Sequence, residues 1–71
     1  MTKNRLQLLR KQRKLTQLKV SMDLNLNQNS LSRYENGTRE AGYEMLIKLA
    51  DYYNVSIDYI LYRTDNPEII K

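Results

Sequence analysis

The sequence predicts an all-α domain of five short helices. Three observations lead there. One local form occurs three times, in LTQLKV (residues 15–20), LNQNSL (26–31) and VSIDYI (55–60). In each, an apolar residue precedes Thr, Asn or Ser, and a second apolar residue stands four places further on. This is a hydrophobic staple around an N-cap: the cap side chain accepts from an orphan amide, and the apolar pair sets the entry angle. Second, Tyr43, Leu46, Ile47, Ala50 and Tyr53 recur at helical spacing. Third, no stretch alternates as a strand does, and Pro67 is the single proline.

Taken in order, a first helix is expected over residues 4–13, with an apolar stripe of Leu6 and Leu9 and with Leu8 beside them. A second is expected over residues 17–24 behind the Thr16 cap. Asn25 stands where the chain must reverse, and Asn tolerates the left-handed conformation better than most residues. The third helix follows the Asn27 cap. The fourth follows Gly42, and the fifth spans residues 56–62 behind Ser56. Pro67 and the turn-forming residues before it resist a further helix. The domain is therefore placed at residues 1–66 and a flexible tail at 67–71.

Composition bounds what such a domain can do. At 71 residues it hides only roughly 60% of its unfolded surface, so helix packing or a partner subunit must stabilise it. There is no Cys and no His, which removes disulfides, thiolate metal sites, the commonest metal ligand and the usual general base. No paired carboxylates or Gly-rich phosphate loop take their place, so neither catalysis nor a cofactor or metal is expected. No apolar run approaches the ~20 residues of a membrane span, and a cytoplasmic location is expected.

Charge is distributed unevenly. The net charge is +4, from 12 basic and 8 acidic residues. Lys3, Arg5, Arg10, Lys11, Arg13, Lys14 and Lys19 all precede the first acid, Asp23. The first 22 residues thus carry +7 and the remaining 49 carry −3. Either the N-terminal part meets an anionic partner, or this is a solvated basic face.

Thr16 and Asn27 are eleven residues apart, room for one short helix and a tight turn. That is the helix-turn-helix layout. On a wheel from Gln28 at zero, Ser32 falls at about 40°, Asn29 at about 100° and Arg33 at about 140°, while Leu31 and Tyr34 fall on the other side. The first group presents two amides, a hydroxyl and a guanidinium, with no acid among them. Gln and Asn pair bidentately with adenine and Arg with guanine in a major groove. A merely solvated helix would more often carry Glu and Lys.

The segment LTQLKVSMDLNLNQNSLSRYENGTRE (residues 15–40) resembles the Cro/repressor-type helix-turn-helix family, also called xenobiotic-response-element or lambda-repressor-like. The matching residues are Thr16, Gln17, Leu31, Ser32, Tyr34, Glu35 and Gly37, with Val20, Ser21, Leu26 and Asn27 as conservative replacements. The likeness runs on through residues 43–61 and back through residues 5–17. It implies a sequence-specific double-stranded DNA-binding regulator of the repressor kind, acting as a homodimer on a palindromic operator. Carried over by position, base contacts fall on Gln28, Asn29, Ser32 and Arg33. Phosphate contacts fall on Gln17, Asn27, Asn36, Thr38 and Arg39, and an architectural ion pair on Arg10 and Glu35.

Several positions depart from the family pattern. Asn25 replaces the turn glycine. Lys14 replaces a frequent glycine after the first helix, so that end is expected to be capped differently. Leu18 and Met22 stand where polar residues are usual: they are either scattered exposed apolars or a contact for a protein partner. The second choice would suit an antitoxin-like partner binder of the same fold, because fold alone does not set function. Ile57, Ile60, Leu61 and Tyr62 are dimer-interface candidates, the plainer reading being packing on the fourth helix. Of the six tyrosines, Tyr34, Tyr43, Tyr53 and Tyr59 fall on apolar faces and are expected in the core rather than stacked on single-stranded bases.

Overall fold

The computed structural model describes residues 4–69. They form five helices: α1 (Leu6–Gln12), α2 (Gln17–Asp23), α3 (Gln28–Asn36), α4 (Tyr43–Tyr53) and α5 (Ile57–Ile60). No strand occurs among the described residues. All three staple positions act as caps: Thr16, Asn27 and Ser56 accept from the amides of Lys19, Asn29 and Tyr59. Each satisfies one amide that the helix itself leaves without an acceptor.

α1 is shorter than expected. Arg5 stands at its N-cap without a side-chain cap, while Asn4 accepts from the Leu6 amide and donates to the Tyr34 carbonyl, 2.8 Å away. α5 is a single turn, because Leu61 and Tyr62 leave the helix and Tyr62 turns to φ 62°. Pro67, placed by the sequence at the start of a flexible tail, accepts the Ser56 amide on its carbonyl at 2.9 Å. Residues 1–3 and 70–71 of the expected domain and tail lie outside the described residues.

α2 packs on α3, α1 on α3, and α4 on α5. The core comprises Leu6, Leu9, Val20, Leu31, Tyr34, Leu49, Ala50, Tyr53, Val55 and Ile60. Two expectations for α4 are corrected. Tyr43 is 76% exposed and Ile47 is also exposed, whereas Leu49 is fully buried. The buried arc is centred on Leu46, Leu49, Ala50 and Tyr53, about 50° around the helix from the stripe read in the sequence. α4 carries more apolar surface than the one-turn α5 and its other neighbours cover. Ile60, a dimer candidate, is also corrected: it is fully buried in the core of its own chain and has no surface for a second copy. Ser21, 3% exposed, donates to the Leu18 carbonyl, so its hydroxyl is satisfied within α2.

Candidate nucleic-acid interface

α3 is buried along one side by Leu31, Tyr34 and Glu35. On the other, Gln28, Asn29 and Arg33 are exposed and Ser32 is half-buried. Among the described residues, none of these four side chains is hydrogen-bonded to the protein. Their donors and acceptors are therefore available to an external partner. The nine-residue helix is about 13 Å long, enough to lay two turns of side chains into a groove of about 12 Å.

Both ends of α3 are fixed locally. At the start, Asn27 Oδ1 accepts from the Asn29 amide at 2.7 Å. At the end, Gly37 takes φ 80°, and the amides of Gly37 and Thr38 close on the carbonyls of Tyr34 and Arg33. Glycine is the residue that enters this left-handed region without steric cost. Asn36 Oδ1 then accepts from both the amide and the hydroxyl of Thr38, at 3.0 and 2.7 Å. Arg39 is exposed and extends over the Tyr34 ring, 5.8 Å from its centroid. Asn36, Thr38 and Arg39 thus form one ordered exit loop beside Arg33.

Gln17 is placed otherwise than its assignment to phosphate anticipates. It is half-buried, and its Nε2 donates to Glu35 Oε1 at 3.1 Å. The same carboxylate faces Arg10, whose Nε and Nη2 donate to Oε2 and Oε1 at 2.8 and 3.1 Å. Arg10 Nη1 donates to the Leu15 carbonyl. One buried node therefore ties the end of α1, the start of α2 and the end of α3. It joins Arg10 and Glu35 across 25 residues of sequence and adds Gln17, a link with no local sequence signal.

The N-terminal cations divide into two groups. Arg5 is buried between two rings, its guanidinium 4.1 Å from the centroid of Tyr59 and 4.3 Å from that of Tyr62. It donates to the carbonyls of Tyr59 and Thr64 and to Asp65. Arg13 donates to the carbonyls of Leu9 and Tyr53. Lys19 pairs with Asp23 one turn on, and Tyr52 donates to the same carboxylate at 2.6 Å. Those two hydrogen bonds hold the Asp23 carboxyl below its ordinary value, that from Tyr52 foremost. Its acceptor role pushes the Tyr52 hydroxyl up to about 12. Four of the seven cations are thus engaged within the protein, three of them, Arg5, Arg10 and Arg13, in contacts between distant parts of the chain. Lys3 lies outside the described residues, and among those described no carboxylate lies within ion-pair distance of Lys11 or Lys14.

Leu18 and Met22 are 55% and 69% exposed on α2. Leu61 and Tyr62 are exposed and Ile57 is half-buried at the α5 end. No described helix is long and apolar enough to cross a membrane, and no group of three or more potential metal ligands occurs among the described residues.

An acid-free, unpartnered polar face on the second helix of a capped helix pair is the arrangement of a helix-turn-helix domain. The family profile described as helix-turn-helix matches residues 6–60, and the chain belongs to the Cro/C1-type branch of that family. It is 36% identical over 62 residues to the HTH-type transcriptional regulator YqaE of Bacillus subtilis, covering 87% of this chain and 53% of that protein. It is 44% identical over 46 residues to the HTH-type transcriptional regulator ImmR of the same organism, covering 65% of this chain and 36% of that protein. It is 44% identical over 48 residues to the antitoxin PezA of Streptococcus pneumoniae, covering 68% and 30%. The chain thus spans about half the length of YqaE and about a third of ImmR. No solved structure matches it.

Proposed function

We propose that this chain binds double-stranded DNA in a sequence-specific way and regulates transcription, as a repressor. Two copies place α3 in successive major grooves of a palindromic operator, about 34 Å apart. The observation that carries the reading is the α3 face: Gln28, Asn29, Ser32 and Arg33 are accessible, acid-free and without internal hydrogen bonds. Amide and guanidinium groups at this spacing read base edges. Asn27 and the Asn36, Thr38 and Arg39 loop bracket that face and meet the backbone on either side. The remaining amide N–H of Gln17 is available to a phosphate while the other rests on Glu35. Leu61, Tyr62 and Ile57 supply the apolar surface for a second copy. Occupancy of the operator then hinders polymerase.

The test is selection of bound sequences from a random duplex pool, followed by Arg33→Ala on the recovered site. Loss of about 1–3 kcal/mol with one base position relaxed is expected. Arg39→Ala is expected to weaken all sequences alike and to flatten the salt dependence. Recovery of no motif, or an Arg33→Ala variant that binds specific and random DNA as before, would refute the base-reading face.

A second reading has its own support. Leu18 and Met22 are exposed one turn apart, and one relative is an antitoxin. They would form the contact of a protein-interaction module. A Leu18→Ser, Met22→Ser variant that keeps operator binding but loses a protein partner found with the wild type would favour it.

A further inference from the structure

We propose that Lys14 is a phosphate contact, through which the turn between α1 and α2 joins the DNA interface. This rests on the double-stranded DNA reading above. The first observation is conformational. Lys14 takes φ 56°, in the left-handed region, which glycine enters freely and which costs a residue with a Cβ. Three other non-glycine residues do the same: Asn25, Asn54 and Tyr62. The two asparagines belong to a type that tolerates the region. Tyr62 is held under the Arg5 guanidinium. Lys14 has no such compensation. Among the described residues its side chain makes no hydrogen bond and no ion pair, and it is exposed.

A role in closing α1 does not explain it. The Lys14 amide reaches the Lys11 carbonyl, and the Leu15 amide the Arg10 carbonyl. A glycine would close the helix through the same backbone bonds without strain. Arg10 and Lys11 already stand in the last turn of α1, where cations complement its dipole. Strain kept without a reward inside the protein points to one outside it.

The position suits that role. The Leu15 carbonyl is fixed by Arg10, Arg10 by Glu35, and Glu35 also holds Gln17. Lys14 is thus one residue from the node that reaches the last turn of α3, immediately before the Asn36 to Arg39 loop. Its neighbours Arg10 and Arg13 spend their guanidinium groups inside the protein. Its ammonium does not, and a lysine meets phosphate as a point charge, with no fixed geometry to satisfy.

The test needs no operator, because a phosphate contact is independent of sequence. Binding to a mixed-sequence duplex of about 30 base pairs is followed by fluorescence anisotropy across a salt series. Lys14→Gly is expected to flatten the log–log salt slope by about 0.9 and to weaken binding about eightfold at 0.1 M salt relative to 1 M. Its thermal midpoint should stay or rise, since the strain is relieved. Lys14→Arg should keep the slope. Asn54→Gly, which changes a left-handed residue at the end of α4, should leave the slope unaltered. A Lys14→Gly variant with the wild-type slope overturns the proposal. So does one whose midpoint falls, because Lys14 would then be serving the fold. If the wild type shows no salt-dependent binding to any duplex, the DNA reading falls first and this contact with it.

Discussion

Replacing Glu35 by Gln tests the node that joins three helices. The carboxylate is 2% exposed and accepts three hydrogen bonds, two from Arg10 and one from Gln17. Glutamine has nearly the same volume but one acceptor oxygen. Its NH2 group would face the N–H groups of Arg10 or Gln17, donor against donor. More costly still, Arg10 is only 9% exposed and would keep its charge without a counter-charge. Breaking one side of a buried pair costs about 3–5 kcal/mol. A chain of this size has a total stability of roughly 4–11 kcal/mol, so the variant should lose much of its folded population. Urea unfolding followed by circular dichroism measures this, with an unchanged slope showing that both end states are preserved. The double variant Arg10→Met, Glu35→Leu removes both charges, and should recover to within about 2 kcal/mol of wild type. A Glu35→Gln variant within about 1 kcal/mol of wild type would refute the reasoning. It would mean that water or movement of Arg10 supplies the missing compensation.

Other outcomes follow from particular contacts. Ile60→Ala should cost about 2–5 kcal/mol in denaturant unfolding. Leu61→Ser, at an exposed site, should leave monomer stability within about 0.5 kcal/mol while weakening self-association in sedimentation. The Tyr53 hydroxyl is buried without a partner among the described residues, and burial pushes its pKa upward, with the Glu35 charge adding to this. Tyr53→Phe should therefore stabilise by about 1 kcal/mol, read as a higher urea midpoint. The clasp between Tyr52 and Asp23 gives a pH dependence with a definite sign. Asp23 is lowered from 3.8, so its contribution is present above that value and is lost as pH falls through the folded-state value beneath it. Tyr52 is raised from 10.0 to about 12, so its contribution is present below pH 10 and is lost as pH rises towards 12. Tyr52→Phe should flatten both limbs of a plot of stability against pH.

Much of the local structure was legible because it has local causes. Thr16, Asn27 and Ser56 each satisfy an amide two or three residues away, so the residue type and its apolar neighbours sufficed to mark a helix start. Asn25 is legible likewise, since a left-handed turn selects residue types that tolerate it. The orientation of α4 was not. Its apolar residues cover a wider arc than any neighbour buries, and the sequence does not say which part of that arc remains outside. The extent of α5 was also misread: Leu61 and Tyr62 continue its apolar pattern, yet the chain turns there.

The basic N-terminal run shows the division most clearly. Counting charges predicts a field, and a field is blind to which cations are already paired. Arg5 reaches residues 54 to 60 positions away, Arg13 one 40 positions away, and Arg10 one 25 positions away. No periodicity encodes such pairings. The sequence by itself determined the starts of α2 to α5, the helix-turn-helix spacing and the polar face of α3, because each is set within a turn or two of chain. Only the tertiary structure decided which charges hold the fold together and which stay free for a partner. That depends on burial and on contacts between distant residues, which exist only once the helices have packed.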